Sequence, residues 1–161
     1  MKCLLLAFTL AACGGSSPPP AKPVDPTVVP VQEKILVLVD DQGVGLGGHD
    51  PVSYTKGAPV VGAAEHASSH GGATYRFGTA DDQAAFDANK AKFAPRFGGY
   101  CAFAAAQNRL SIADANVFVI HDSQLLVFTN EDYKQRFEAD PKGSKAKADA
   151  NWPGLVAKHG K

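Results

Sequence analysis

Residues 117–128 read VFVIHDSQLLVF, and this stretch sets the class of the fold. Two apolar segments, 117–120 and 125–128, are of the length and composition that favour β-strands. The polar residues between them form a connection short enough for a hairpin. The sequence therefore predicts a C-terminal antiparallel hairpin, with His121 at the surface in its connection.

Two further segments have strand character. Residues 35–39, ILVLV, form a continuous and mostly β-branched apolar run, which predicts a buried strand. Residues 73–77 alternate, with Tyr75 and Phe77 on one side, which predicts a half-buried strand.

Helix signals lie between and after these strands. Thr79 followed by two acidic residues predicts a helix start, and Pro95 predicts its end. Asn130 is expected to cap a last helix that breaks at residues 140–143. We therefore predict one small α+β domain at residues 31–157, with short antiparallel strands, a few helices and no visible internal repeat.

Charge excludes one large class of function. The chain of 161 residues has 16 basic and 16 acidic side chains, so its net charge is zero with neutral histidines. A nucleic-acid-binding domain normally carries a basic excess that neutralises phosphates. We therefore expect no nucleic-acid partner.

The N-terminus resembles a bacterial lipoprotein signal peptide. A short apolar segment ends in Leu10-Ala11-Ala12-Cys13, the pattern of a lipobox. The resemblance implies a signal peptide at 1–12, a lipidated Cys13 and a Pro-rich tether over 13–30. The membrane would then be a partner through the lipid anchor, and the domain would face the periplasm or exterior of the cell envelope. The outer membrane is favoured if the cell is Gram-negative, and an ordinary secretory signal is the alternative.

One cysteine is left after this processing. Cys3 would be removed and Cys13 acylated, so Cys101 in the stretch GGYCA at 98–102 has no intramolecular partner. Three roles are open for its thiol: a metal ligand, a redox-active group or a small buried core residue.

Histidines supply further candidate metal ligands. Residues 65–70 are expected to form a short helical turn, which would place His66 and His70 on one face. His49 is a third candidate. A thiolate from Cys101 together with imidazoles would suit copper or zinc.

Five other residues are candidates for a pocket or a turn near that thiol. Tyr54, Tyr75 and Tyr100 are candidate pocket residues, although aromatic residues at strand spacing also suit a core. Asp50, which precedes a proline, is expected mainly to cap a turn. Arg76 is expected to point away from the core, where it can meet an acid or an anion.

The ordered set of motifs resembles the YHS domain family. The matching pieces are GHDPVSY at 48–54, GATYRF at 72–77, Phe86, FAP at 93–95, GGYCA at 98–102 and ADANWP at 148–153. The resemblance implies a small α+β module linked to heavy-metal handling. It also implies relatives with selenocysteine at the position of Cys101, which suits redox chemistry or a soft metal. The chain departs from the pattern at His49, where an aromatic residue is expected, and in having one cysteine in the mature domain.

These observations lead to a ranked set of hypotheses. The first is a lipid-anchored extracytoplasmic module that binds copper or zinc through Cys101 and nearby histidines. The alternatives are a thiol-dependent redox protein that uses Cys101 and a non-catalytic binding or scaffolding domain.

Overall fold

Two β-hairpins, each followed by helices, make up the framework of residues 33–161, the part of the chain that the computed structural model describes. The strands are β1 Ala63–His70, β2 Ala73–Phe77, β3 Asp114–His121 and β4 Gln124–Phe128. The α-helices are α1 Ala80–Ala88, α2 Lys90–Phe93, α3 Ala102–Ala106, α4 Glu131–Glu138 and α5 Pro141–His159, with short 3-10 helices at Leu46–Gly48, Ser53–Lys56 and Arg96–Gly99. None of the helices in these residues is both long and apolar enough to cross a bilayer. The predicted α+β class is confirmed.

The hairpin predicted from residues 117–128 is confirmed as β3 and β4, which pair antiparallel around a two-residue turn. The predicted surface position of His121 in the connection is wrong, because this residue ends β3 and its ring packs against Phe137. The hairpin's description as C-terminal is wrong, because helices α4 and α5 follow it. Residues 140–143 start α5 instead of ending the helical region. Asp140 caps α5 by accepting the Gly143 N–H at 3.0 Å, and Pro141 suits a first turn whose N–H needs no partner.

The strand predicted at residues 35–39 is wrong. This segment is extended, yet none of its five residues is fully buried and no regular ladder forms. Leu38 donates its N–H to the Gly98 carbonyl at 2.8 Å, and Ile35 exchanges two backbone hydrogen bonds with Lys161. Because these neighbours are a loop and a single residue after α5, they supply isolated hydrogen bonds and not a continuous strand partner.

The helical turn predicted at residues 65–70 is also wrong, because these residues belong to β1. Gly71 and Gly72 have φ values of 56° and 82° and turn the chain back so that His70 pairs with Ala73. Pairing with β2 satisfies the backbone of a segment whose side chains alone do not favour a strand.

The predicted start of α1 is confirmed, since the Thr79 hydroxyl accepts the Asp82 N–H at 3.1 Å. The helix ends earlier than expected. Asn89, with φ −153°, interrupts it and caps α2 by accepting the Lys92 N–H at 3.1 Å. Phe93 therefore lies on a separate short helix.

A hairpin–helix unit occurs twice, at a constant offset of 51 residues, as from His70 to His121. In both units a strand of 8 residues pairs with a strand of 5, and the pairing shifts register near its open end. The identical equivalent pairs include three with ring side chains: His70 and His121, Phe77 and Phe128, and Phe86 and Phe137. Their packing repeats too, with both His–Phe ring centroids 6.2 Å apart and the Phe–Phe centroids 5.0 and 5.3 Å apart.

The loop before each hairpin repeats in the same register. Leu46 and Phe97 share the left-handed backbone conformation, with φ of 56° and 54°, and Gly48 and Gly99 have φ of 78° and 79°. Non-glycine residues are rare in this region of backbone space. Its recurrence at equivalent positions therefore indicates one loop design used twice.

Hydrogen bonds that close the two loops also correspond. The Asp50 N–H donates to the Val60 carbonyl at 2.8 Å, and the Cys101 N–H donates to the Ser111 carbonyl at 3.1 Å. Asp50 and Cys101 are thus equivalent residues.

Residues 46–88 and 97–139 therefore form an internal repeat, which was not visible in the sequence. The β1 sequence is AAEHASSH whereas the β3 sequence is DANVFVIH. The features that the two units share are turns, helix caps and two phenylalanines. Because most of their strand residues differ, the similarity is not evident from the sequence.

The two hydrophobic clusters of the domain meet at β4. Leu126 and Phe128 belong to the cluster around α3, α4 and α5, whereas Leu125 and Val127 belong to the cluster around β2 and α1. All four side chains are buried, so both faces of β4 are covered.

Asp50 connects the first loop to the end of β2. Its side chain is fully buried and accepts the N–H groups of Val52 at 2.8 Å, Ser53 at 3.3 Å and Gly78 at 2.9 Å. A single carboxylate therefore satisfies three backbone donors in the interior.

We expect Asp50→Ala to lower the free energy of unfolding by roughly 2–4 kcal/mol, because three N–H groups would lose their acceptor. Urea denaturation of this variant and of Asp41→Ala, an exposed acid close by, measures the effect. A similar loss in both variants would contradict the assigned role of Asp50.

Candidate functional site

The stretch 98–102 packs against the extended segment at residues 35–39. Gly98, with φ 56°, accepts the Leu38 N–H, and a side chain at Gly98 would collide with the Leu36 backbone carbonyl. Glycine is therefore required here both for its backbone conformation and for close approach.

The Cys101 thiol lies in the hydrophobic core. The residue is 0% exposed and packs in the same cluster as Phe128 and Phe137. Its carbonyl accepts the Ala105 N–H at 3.0 Å as α3 begins. The surroundings are those of a small buried hydrophobic residue.

The three candidate histidines lie in the first repeat unit, whereas Cys101 lies in the second. His70, at the end of β1, packs edge-on against Phe86, which belongs to the other cluster. His66 is four residues earlier in the strand, a separation of about 13 Å in extended backbone, which is too long for shared coordination. The His49 Nδ1 lies 3.3 Å from the Leu46 carbonyl.

The donor set expected for copper or zinc is not assembled in the described chain. Within residues 33–161, no group of three His, Cys, Asp or Glu side chains is close enough to hold a metal ion. A tetrahedral or trigonal site needs three or four protein donors around one point. The arrangement of Cys101, His49, His66 and His70 does not fit such a site.

Two of the three candidate tyrosines are core residues of the first unit. Tyr54 donates its hydroxyl hydrogen to the Ala115 carbonyl at 2.7 Å, and burial, with the charges of Asp114 and Asp50, raises its pKa. Burial raises the pKa of Tyr75 to about 12. Both hydroxyls therefore stay neutral at physiological pH.

The third tyrosine and the arginine lie near the surface. The Tyr100 ring is tilted against Trp152 with centroids 6.4 Å apart. Arg76 donates from Nη2 to the Gln42 Oε1 at 3.3 Å, so it meets a neutral amide and not an acid.

A polar cluster that the sequence did not reveal lies beside Asp50. The Lys56 ammonium pairs with the Asp82 carboxylate at the start of α1. Burial opposes ionisation of Asp82, but the hydrogen bond and charge of Lys56 outweigh it, with help from Thr79, and the pKa of Asp82 falls below its usual value. The sequence shows the acids of the first turn but not the distant lysine that faces them.

An open recess of about 460 Å³ lies along the extended segment. Its wall consists of Ile35, Leu36, Val37, Leu38 and Val39, and its other lining residues are Gly72, Tyr100, His159 and Lys161. This recess was not predictable from the sequence, because ILVLV is typical of a strand with neighbours on both sides.

Comparison of the chain with protein-family models, curated proteins and solved structures found no match. The resemblance to the YHS domain family therefore stays a prediction that depends on the motifs alone.

We expect Lys56→Met to lower stability at pH 7 and to have little effect near pH 2. The pKa of Asp82 is lower in the folded state, so its ionisation stabilises the fold above about pH 4 and this contribution is lost as pH falls through the folded pKa. Urea unfolding at both pH values measures the difference from the parent, with the exposed Lys147→Met as the matched control. An effect of Lys56→Met that is independent of pH would show that packing, and not the ion pair, is responsible.

Proposed function

We propose that this protein is a lipid-anchored, non-catalytic binding domain of the bacterial cell envelope, in which Cys101 is a structural core residue. The complete burial of the Cys101 thiol carries this proposal. A redox thiol must be reached by its partner, and reactive cysteines lie in partly exposed surroundings.

The internal repeat supports the same role for position 101. Asp50, the equivalent residue, is also fully buried, and its side chain organises a turn. Both units therefore use this position as an interior point where the loop meets the core, with a carboxylate in one and a thiol in the other.

The metal-binding hypothesis draws its support from the YHS resemblance. It needs donors that converge on one point, and the positions of Cys101 and the histidines favour the binding-domain proposal instead. The redox hypothesis needs the thiol to be accessible in the native state.

We expect Cys101 in the native protein to react with iodoacetamide roughly a thousandfold more slowly than in urea, because labelling requires the core to open. Peptide mapping by mass spectrometry assigns the label to this cysteine. Native labelling at the rate of the unfolded chain would replace the proposal with the redox hypothesis.

Two variants separate packing from chemistry at the same position. Cys101→Ala should cost on the order of 1 kcal/mol of stability through a small cavity. Cys101→Ser should lower stability further, because it buries a hydroxyl group without a hydrogen-bond partner of its own. Stoichiometric copper or zinc on the reconstituted parent, lost in Cys101→Ala, would instead establish the metal-binding hypothesis.

Lipid attachment is expected at Cys13, which lies outside the described residues. Mass spectrometry of membrane-extracted protein should find a mature chain that begins at acylated Cys13, and Cys13→Ala should abolish acylation. Several acyl chains bind a bilayer firmly whereas a single chain binds it only marginally. Cys3→Ala is the matched control and should still be acylated, and an unmodified Cys13 in the parent would contradict the anchor.

A further inference from the structure

Within residues 33–161, the backbone of residues 35–39 has one edge that is largely without partners. The N–H and C=O groups of alternate residues in an extended chain point to opposite sides. Leu38 uses one side for its bond to Gly98, whereas Ile35 uses the other side for its two bonds to Lys161. Val37 and Val39 share the side of Ile35, and their N–H groups donate to no carbonyl within residues 33–161.

The side chains of the same segment are also incompletely covered. Five consecutive apolar residues are typical of a strand with neighbours on both sides. Here Ile35 is 47% exposed, and the other four are only partly buried. The sequence is therefore that of an interior strand, whereas its surroundings are those of an edge.

We propose that this edge, Val37 to Val39, is a docking site for an extended peptide segment of a partner protein, which adds to it as a β-strand. The proposal deepens the proposed binding function and rests on it. Strand addition uses main-chain hydrogen bonds for affinity and side-chain pockets for specificity. The recess of about 460 Å³ along the segment provides the space for the added chain.

Charge indicates the chemistry of the partner. The ionisable side chains that line the recess are Tyr100, His159 and Lys161, and none of them is an acid. An extended partner segment with apolar side chains would match the wall of the recess, and an acidic residue next to it would match the ammonium group of Lys161. Charge complementarity of this kind contributes mainly to selectivity and to the rate of association.

Two other occupants fit less well. A second copy would present the same edge from inside its own recess. The two edges could therefore not approach closely enough to form backbone hydrogen bonds. The chain's own residues 14–30 include six prolines, which lack the N–H that strand pairing needs.

Amide exchange of the full-length protein in detergent micelles, followed by NMR, tests the proposal. The probe is the peptide acetyl-Glu-Thr-Val-Thr-Val-Glu-amide at millimolar concentration. We expect the Val37 and Val39 amides to exchange at least about tenfold more slowly with the peptide, as paired groups do. Leu38, already bonded to Gly98, should change little and is the internal control.

Two matched controls separate strand addition from non-specific binding. The same peptide, N-methylated at both valines and both threonines, retains its side chains but loses N–H donors on both edges, and it should give no protection. Lys161→Glu should weaken peptide binding by about threefold, the scale of an exposed charge pair. Lys147→Glu, on the exposed part of α5, should not change it.

Three outcomes would overturn the proposal: no protection by the peptide, equal protection by its N-methylated form, or protection that rises with protein concentration in the absence of peptide. The last would identify a second copy as the occupant. Failure of peptide binding with an unreactive Cys101 would leave the structural role of the thiol intact. A reactive native Cys101 would instead contradict the proposed function itself.

Discussion

Burial of β4 on both faces is the constraint on which the rest of the domain depends. Successive side chains of a strand point to opposite faces, so Leu125 and Val127 fill one cluster while Leu126 and Phe128 fill the other. A slip of one residue in the pairing with β3 would exchange the two sets. One register therefore fixes both cores, and the position of each unit follows from it.

Each hairpin in turn depends on the helix that follows it. A two-stranded hairpin alone is marginally stable in water and needs a further element packed on it. Phe86 of α1 and Phe137 of α4 supply that contact at equivalent positions, each against the phenylalanine that ends its own hairpin. The feature that is repeated is thus the packing of a helix phenylalanine on a hairpin phenylalanine. This explains why these phenylalanines are identical while most strand residues differ.

Features specified by neighbouring residues were predictable from the sequence. The β3–β4 hairpin and the caps at Thr79 and Asn130 depend on contacts within a few positions, and all of them are confirmed. Features that depend on distant partners were not. The extended segment at 35–39 meets Gly98 and Lys161, and β1 is a strand because β2 pairs with it.

The candidate site shows the same division. The turn role of Asp50 follows from the proline after it, and its carboxylate accepts the N–H groups of Val52 and Ser53. The surroundings of Cys101 do not follow from its neighbours in sequence, because a small-residue run after a thiol suits either a close-packed core or an accessible helix start. Only the arrangement of α3, α4 and β4 places the thiol among Phe128 and Phe137.

The repeat also explains why the backbone of residues 35–39 has one edge largely without partners in the part of the chain that the structure describes. Their counterparts at the offset of 51 are residues 86–90, which belong to the end of α1 and the start of α2. The extended segment therefore precedes both units and has no equivalent in the second. The strands of each hairpin pair with one another, so within residues 33–161 the segment finds its backbone partners in the loops at Gly45 and Gly98 and beyond the end of α5. Among the described residues, this apolar extended segment pairs its backbone on one side at Leu38 and leaves the other side unpaired from Val37 to Val39, which is the side where the proposed partner strand would add.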